Sequence, residues 1–163
     1  MKIIAVLNGK PTSGKDTFAK CCGECIKTRH ISSVGLVKKM ALNIGWDGKK
    51  DEDGRLLLSN LKQTLGQYHD TIFKDLKERI MDWYASDDEL LFIDIREPEE
   101  IERAVKEFGA ITVLVDRDVP DVSSNDSDMF VFDYSYDYII DNNGTVENLE
   151  TIAKTFVNDL KNI

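Results

Sequence analysis

Short apolar runs alternate with longer amphipathic segments along this chain. The runs lie at residues 3–7, 31–37, 90–96, 111–115 and 138–140. Runs of this length, with few polar residues inside them, are typical of strands that a parallel sheet buries on both faces. We therefore predict a strand at each position, and the run at 31–37 has the weakest pattern.

Apolar residues recur at helical spacing between the predicted strands. The pattern predicts helices at residues 15–29, 36–46, 57–68, 72–84, 98–108 and 149–160. Strands that alternate with helices favour an α/β fold, here a three-layer, doubly wound and mostly parallel sheet. No internal repeat, low-complexity tract or Gly/Ser linker divides the sequence, so we expect a single domain.

The segment 9–17 connects the first predicted strand to the first predicted helix. It contains the pattern Gly-x-x-x-x-Gly-Lys, which ends at Lys15. Such a loop directs backbone N–H groups and the positive end of the helix dipole toward one point, and its lysine reaches phosphate oxygens. The alternative is a glycine-containing turn in which the lysine is incidental. The residues that we predict to bind the nucleotide phosphates are Gly9, Lys10, Thr12, Ser13, Gly14, Lys15, Asp16 and Thr17.

Charged residues at strand ends supply the other parts of a phosphoryl-transfer site. Asp94 lies near the end of the run at 90–96, and the carboxyl ends of parallel strands face the ligand crevice. Asp16 stands where such loops usually carry the Ser or Thr that meets Mg²⁺. Both carboxylates are therefore predicted magnesium ligands, with Asp94 as the Walker B residue. Cations that draw two phosphates together are also needed, and the candidates are Arg55, Arg96 and Arg117.

Composition and charge narrow the class of protein. The 163 residues, 42% of them hydrophobic and 31% charged, are usual for a globular domain. No apolar run approaches the roughly 20 residues that span a bilayer, and the first run is too short for a signal peptide. A net charge of −9 disfavours a nucleic-acid polymer or an anionic membrane as partner. Small phosphorylated ligands remain open.

The cysteines indicate the redox compartment. Cys21, Cys22 and Cys25 all lie on the first predicted helix, and an odd number of cysteines is typical of free thiols in a reducing compartment. We therefore expect a cytoplasmic protein. Cys22 and Cys25 form a single Cys-x-x-Cys pair with only His30 nearby, so packing is favoured over metal or redox use.

Two polar segments each have two interpretations. Trp46 precedes residues 49–55, which we predict to be a highly charged loop that either contacts the substrate or forms a solvated surface. The segment 117–130, whose only arginine is Arg117, is either a mobile lid or a surface connection.

Four separated motifs carry a family resemblance. They are Ser13-Gly14-Lys15-Asp16-Thr17; residues 45–51 leading to Gly54-Arg55; Asp94-Ile95-Arg96; and Ser127-Asp128 followed by residues 138–145. In this order they span nearly the whole chain. They resemble the phage and bacterial deoxynucleoside monophosphate kinase family, within the adenylate-kinase-like P-loop kinases.

The resemblance implies that ATP donates its γ-phosphate, with Mg²⁺, to a (deoxy)nucleoside monophosphate. Lys15, Asp94 and Arg96 would be the catalytic residues. Arg55 and Arg96, with Lys38, would hold the acceptor, and Trp46 and Arg117 complete the predicted substrate-binding set. The turn at 141–144 would lie near the donor base, which makes Asn142 a nucleotide-binding candidate. A helical acceptor-binding insert is expected at about 36–85 and a lid-like loop at about 117–130.

Other functions remain open at this point. The chain is alternatively a P-loop kinase of another small phosphorylated acceptor. A nucleotide-binding module without turnover is compatible with Asp16 and with the arginine-poor segment 117–130. A purely structural domain is the weakest alternative, and the sequence leaves open whether two copies form a homodimer.

Overall fold

The computed structural model describes residues 2–119 and 130–162. Its strands are β1 (Ile3–Asn8), β2 (Thr28–Ser32), β3 (Leu90–Asp94), β4 (Ile111–Asp116) and β5 (Tyr138–Asp141). They form one parallel sheet with the order β2-β3-β1-β4-β5. The predicted α/β fold with a parallel sheet is therefore confirmed.

The central strand of the sheet is β1. Its Ile3 lies opposite Leu90 of β3 on one side, and its Ala5 lies opposite Ile111 of β4 on the other. Val6 and Leu7 are fully buried, as expected for an apolar strand between two neighbours. Because the strands are parallel, the loop that follows β1 adjoins the carboxyl ends of β3 and β4.

Helices lie between successive strands from β1 to β4 and after β5. In the part of the chain that the structure describes, they are α1 (Lys15–Gly23), α2 (Gly35–Asn43), α3 (Glu52–Gln67), α4 (Thr71–Tyr84), α5 (Pro98–Phe108) and α6 (Val146–Leu160). Pro98 occupies the first turn of α5, and Gly109 ends it with a left-handed φ of 63°. Residues 2–119 and 130–162 include no helix long and apolar enough to cross a membrane.

Two predicted boundaries near the loop were wrong. The helix predicted at 15–29 ends at Gly23, and the strand predicted at 31–37 lies at Thr28–Ser32, with α2 starting at Gly35. The apolar positions near the end of the predicted helix continue its spacing, but Cys25 and Ile26 belong to a tight turn whose N–H groups donate to Cys22 O. Pairing of β2 with the sheet then overrides the local helical pattern.

The charged run at 49–55 was also partly misassigned. Its second half is helical, because α3 begins at Glu52. Asp51 caps this helix, since its side chain accepts a hydrogen bond of 2.9 Å from Gly54 N. Glu52 and Asp53 lie in the first turn, where acidic side chains stabilise the helix dipole.

The chain divides into two compact units. One unit, Met1–Ile31 with Asp87–Ile163, contains the sheet up to Ile31 of β2 together with α1, α5 and α6. The other unit, Ser32–Ser86, contains α2, α3 and α4. The acceptor-binding role predicted for residues 36–85 stays a prediction. Most of the predicted lid-like loop, residues 120–129, lies outside the described residues.

An aromatic cluster fixes α1 against the sheet. The ring centroid of Phe18, on α1, lies 5.9 Å from that of Phe92, on β3, and 5.4 Å from that of Phe156, on α6. The Tyr138 ring meets Phe156 edge-on at 5.1 Å. These three phenylalanines are buried, so the cluster sets the position of the helix that follows the loop.

Removal of Phe156 should therefore destabilise the sheet-containing unit strongly. We expect Phe156→Ala to lower the free energy of unfolding by about 3–5 kcal/mol, because it leaves a cavity among three aromatic rings. Urea unfolding followed by near-UV circular dichroism measures the change. The control is Val146→Ala on the same helix, where the side chain is 58% exposed and the expected change is within about 0.5 kcal/mol. Similar losses in both variants would contradict this role of the cluster.

Candidate phosphate-binding loop and cation site

Glycine makes the backbone of the β1–α1 loop possible at two positions. Gly9 has a φ of 152° and Gly14 a φ of 95°, both in the region that side chains disfavour. A Cβ on Gly9 would lie 2.5 Å from the carbonyl oxygen of Val115. The first half of the loop therefore packs directly on β4.

Asn142 holds the second half of the loop. Its Nδ2 donates a hydrogen bond of 2.7 Å to the carbonyl of Ser13, and its backbone N–H donates one of 2.8 Å to the carbonyl of Asp116. A Cβ on Gly14 would lie 2.3 Å from this Nδ2. The structure thus places Asn142 directly against the loop, whereas its predicted contact with the donor nucleotide stays a prediction.

The donor groups of the loop fit the phosphates of a nucleotide. Lys15 Nζ donates to the carbonyls of Gly9 and Lys10 at 2.9 and 3.2 Å, so the ammonium group lies within its own loop. The Ser13 hydroxyl is buried and has no hydrogen-bond partner among the described residues. An unpaired buried hydroxyl costs about 1–3 kcal/mol, which a bound phosphate oxygen would offset. Among the described residues no side-chain hydrogen bond caps the first turn of α1, so its first N–H groups are available to an anion.

Other predicted loop residues lie at the surface. Thr12 has a left-handed φ of 65°, and Thr17 is exposed on the first turn of α1. Lys10 Nζ lies 5.4 Å from the ring centroid of Phe132, a cation–π contact that the sequence did not predict. The roles predicted for these residues in nucleotide binding stay predictions.

Asp16 and Asp94, the predicted magnesium ligands, lie close to one another. Together with His30 they form a group in which one donor atom from each side chain lies within 4.8 Å of the others. A hydrogen bond of 2.9 Å joins His30 Nε2 to Asp94 Oδ1, and His30 Nδ1 lies 4.0 Å from Asp16 Oδ1. Carboxylate oxygens are suitable ligands for Mg²⁺, so this donor set fits a divalent cation beside the loop.

The electrostatic surroundings of His30 are acidic. The hydrogen bond to the Asp94 carboxylate, followed by the charges of Asp94 and Asp16, raises the pKa of His30 above its usual value, while burial and Lys15 oppose the shift. The ring meets Phe92 edge-on at 6.3 Å between centroids. Sequence reasoning considered His30 only as a partner of the cysteines. Its position beside Asp94 follows from the pairing of β2 with β3, which the shifted strand prediction had obscured.

A buried asparagine at the end of β1 ties several segments together. Asn8 Oδ1 accepts from Gly9 N at 2.8 Å, and Asn8 Nδ2 donates to the Tyr136 hydroxyl at 2.8 Å and to the Arg96 carbonyl at 3.2 Å. The Tyr136 hydroxyl in turn donates to the carbonyl of Val131. Sequence reasoning missed both polar side chains. Asn8 could have been found as a polar residue at the end of an apolar strand. The sequence around Tyr136 has no comparable pattern.

The predicted arginines of this unit follow strand ends. Arg96 lies two residues beyond Asp94 and is partly exposed, and Arg117 is exposed directly after β4. The N–H of the neighbouring Asp118 donates to Asn143 Oδ1 at 2.8 Å, which connects this segment to the turn after β5. Their contacts with substrate phosphates stay predictions.

The remaining acceptor-binding candidates belong to the unit Ser32–Ser86. Lys38 lies on α2, and Arg55 lies in the second turn of α3, where its Nε donates to the carbonyl of Lys50 at 2.8 Å. Trp46 Nε1 donates to the carbonyl of Lys49, also at 2.8 Å. These bonds fold the charged segment into a defined turn, and its predicted contact with substrate stays a prediction.

The cysteines are packed rather than activated. Cys21 and Cys22 are buried, and no cysteine forms a disulfide. Burial raises the pKa of both thiols, most strongly that of Cys22. Since the thiolate is the reactive and metal-binding form, this environment agrees with the predicted packing role of these two residues.

The comparison with solved structures addresses the fold. The chain is similar to shikimate kinase from Aquifex aeolicus vf5, with a TM-score of 0.52 and 14% identity over 97% of this chain and 99% of that one. The chain has a P-loop kinase-like fold. A second match is a protein provisionally named a kinase from Chloroflexus aurantiacus J-10-fl, with a TM-score of 0.39 and 14% identity over 70% of this chain and 58% of that one.

No protein-family model and no curated protein matches the sequence. The structural likeness, at 14% identity, supports the predicted fold. Membership of the deoxynucleoside monophosphate kinase family stays a prediction.

The close contact between Gly14 and Asn142 predicts that a methyl group added at Gly14 lowers the stability of the fold. Gly14→Ala should cost more stability than the about 1–2 kcal/mol typical of a left-handed backbone, because its Cβ also displaces Asn142. Gly45→Ala is the control: Gly45 has a similar φ of 100° with nothing within 4 Å of a Cβ. Urea unfolding measures both variants. Equal losses of stability would show that the Asn142 contact is unimportant.

A nearly isosteric substitution at Asn142 tests the role of its side-chain amide. Asn142→Asp removes the Nδ2–H donor and places a carboxylate oxygen against the Ser13 carbonyl, so we expect a loss of about 1–3 kcal/mol or more. Asn143→Asp likewise removes an amide donor, here the exposed bond from Asn143 Nδ2 to Asp141 Oδ1, and should cost less than about 1 kcal/mol because solvent screens the two carboxylates. Thermal unfolding at matched pH compares the two variants. A larger effect at position 143 would contradict the assigned role of the buried amide.

Proposed function

We propose that this protein transfers the γ-phosphoryl group of ATP, with Mg²⁺, to a (deoxy)nucleoside monophosphate. The observation that carries the proposal is the convergence of Asp16 and Asp94 beside the phosphate-binding loop. Phosphoryl transfer needs positioning and charge neutralisation rather than covalent chemistry, and a glycine-lysine loop beside two carboxylates supplies both.

Each residue of the loop has a distinct role in the proposed reaction. The loop N–H groups and the Ser13 hydroxyl bind phosphate oxygens of ATP, and Lys15 balances charge on the transferred group. Asp16 and Asp94 hold the cation. When bound, Mg²⁺ neutralises the charge of the β- and γ-phosphates. Asn142 and Gly9 keep the loop on the ends of β4 and β5, so its donors need little reorganisation.

The acceptor is placed by cations in this proposal. Arg96 and Arg117 follow the ends of β3 and β4, next to the strand that leads into the loop. They would bind phosphate oxygens and hold the reacting groups close together. Lys38, Trp46 and Arg55 complete the predicted acceptor set from the helical unit, and their part rests on the sequence alone.

Another small acceptor is the main alternative. The chain covers nearly the full length of a solved shikimate kinase, whose name gives shikimate as its acceptor. That likeness supports the fold and leaves the acceptor open. A nucleotide-binding module without turnover is the other alternative from the sequence.

One acceptor screen distinguishes these functions. The protein is incubated with Mg-ATP and either a panel of ribo- and deoxyribonucleoside monophosphates or shikimate, and ADP is measured. We expect ADP formation that depends on a nucleoside monophosphate. Formation with shikimate alone would select the alternative acceptor. ATP binding without ADP formation under any condition would contradict both nucleoside monophosphates and shikimate as acceptors and would favour the binding module.

Lys15→Ala tests the mechanism. We expect it to lower kcat by about 10²–10³-fold, because the transferred charge loses a preorganised cation. The control is Lys154→Ala on the exposed face of α6, which should have unchanged kinetics. Circular dichroism checks that both variants are folded. Wild-type turnover in Lys15→Ala would remove this lysine from the reaction.

A further inference from the structure

His30 adds a nitrogen donor to the two predicted carboxylate ligands, Asp16 and Asp94. It lies on β2, next to β3, which carries Asp94, while Asp16 lies in the first turn of α1. Three different elements therefore deliver one nitrogen donor and two oxygen donors to the same place. The nitrogen has no counterpart in the carboxylate pair assigned to Mg²⁺ above.

The distances fit direct binding of a cation. His30 Nε2 and Asp94 Oδ1 are 2.9 Å apart, and neighbouring donors around a cation with bonds of about 2.1 Å are separated by about 3 Å. Asp16 Oδ1 lies 4.0 Å from the other ring nitrogen. Since 91% of the Asp16 side chain is exposed, its carboxylate can rotate without disturbing the core.

The site is both preorganised and accessible. The His30 ring packs edge-on against the buried Phe92, which limits its rotation. The His30 and Asp94 side chains remain 26% and 29% exposed. Asp16 and His30 also line a surface depression of about 420 Å³, together with Lys20, Glu24 and Thr28. A cation can therefore reach the donors from solvent.

We propose that Asp16, His30 and Asp94 form a three-ligand divalent-cation site, which binds Co²⁺ or Zn²⁺ more tightly than Mg²⁺ in the absence of nucleotide. Imidazole nitrogen suits these borderline cations, whereas Mg²⁺ favours oxygen ligands and keeps its waters. A metal on Nε2 takes the place of the hydrogen in the His30–Asp94 bond. The ring then keeps a single proton, on Nδ1, and any second proton passes to solvent.

The inference deepens the proposed function by assigning the cation preference of the same site. It rests on that proposal only for the use of the cation in phosphoryl transfer. Metal binding is measured without ATP or acceptor, so failure of the kinase assay and failure of the metal site are separate results.

Calorimetric titration of the metal-free protein with Co²⁺ and with Mg²⁺ tests the preference. We expect one Co²⁺ per chain, bound more tightly than Mg²⁺. His30→Gln should weaken Co²⁺ binding by about tenfold or more, since loss of even an outer-shell partner costs about 10–100-fold. His69→Asn, which replaces the other histidine of the chain with a residue that tolerates its left-handed φ of 54°, should bind like the wild type. Equal Co²⁺ affinity in the wild type and His30→Gln would overturn the proposal, as would tighter binding of Mg²⁺.

Ring nitrogen resonances give a direct readout of ligation. In ¹⁵N spectra of the folded wild type, Zn²⁺ should shift the resonance of one ring nitrogen of His30. The His30 resonances are identified as those that remain in the spectrum of His69→Asn. Unshifted His30 nitrogens at saturating Zn²⁺ would overturn the proposal even if His30→Gln failed to fold. Cys25→Ser excludes thiolate binding: loss of the metal in that variant, with retention in His30→Gln, would assign the ion to the cysteines and would also overturn the proposal.

Discussion

The hydrogen bond from Asn142 to the Ser13 carbonyl is the constraint on which the candidate site depends. Asn142 reaches this carbonyl only because Gly14 has no Cβ, and its backbone is held in turn by Asp116 at the end of β4. The phosphate-binding loop is therefore fixed from β4 and β5 as well as from its own strand. Gly9, packed on Val115, adds a second attachment. A loop held at both halves can present its donors to phosphate without ordering them first, which favours binding.

The same arrangement brings charge to one edge of the sheet. Asp94 and His30 lie on neighbouring strands, and Asp16 lies on α1, the helix that follows the loop. Phe18, on the helix that carries Asp16, and Phe92, on the strand that carries Asp94, pack against each other and against Phe156. A rigid apolar layer under polar ligands is a general way to hold a cation site in position.

Much of the fold was predictable because β1, β3 and β4 are almost purely apolar. Apolar runs such as 90–93 and 111–115 are typical of strands buried between two neighbours, and the Gly9–Lys15 pattern marks a strand–loop–helix connection by itself. The errors lie where local pattern and tertiary pairing disagree. Cys25 and Ile26 continue the spacing of α1, yet β2 pairs with the sheet from Thr28. Asp51 was predicted to lie in a charged loop, but its carboxylate caps the first turn of α3.

The sequence by itself determined the glycine-lysine loop after β1, the acidic strand end at Asp94 and the α/β class, because each depends on local order along the chain. Only the tertiary structure decided that His30 stands beside Asp94 and that Asn142 supports Ser13, two residues separated by 129 positions. Contacts of this kind depend on strand order and register, which nearby residues do not encode. Local sequence thus determines the loop, whereas the order of the strands determines which side chains lie beside it.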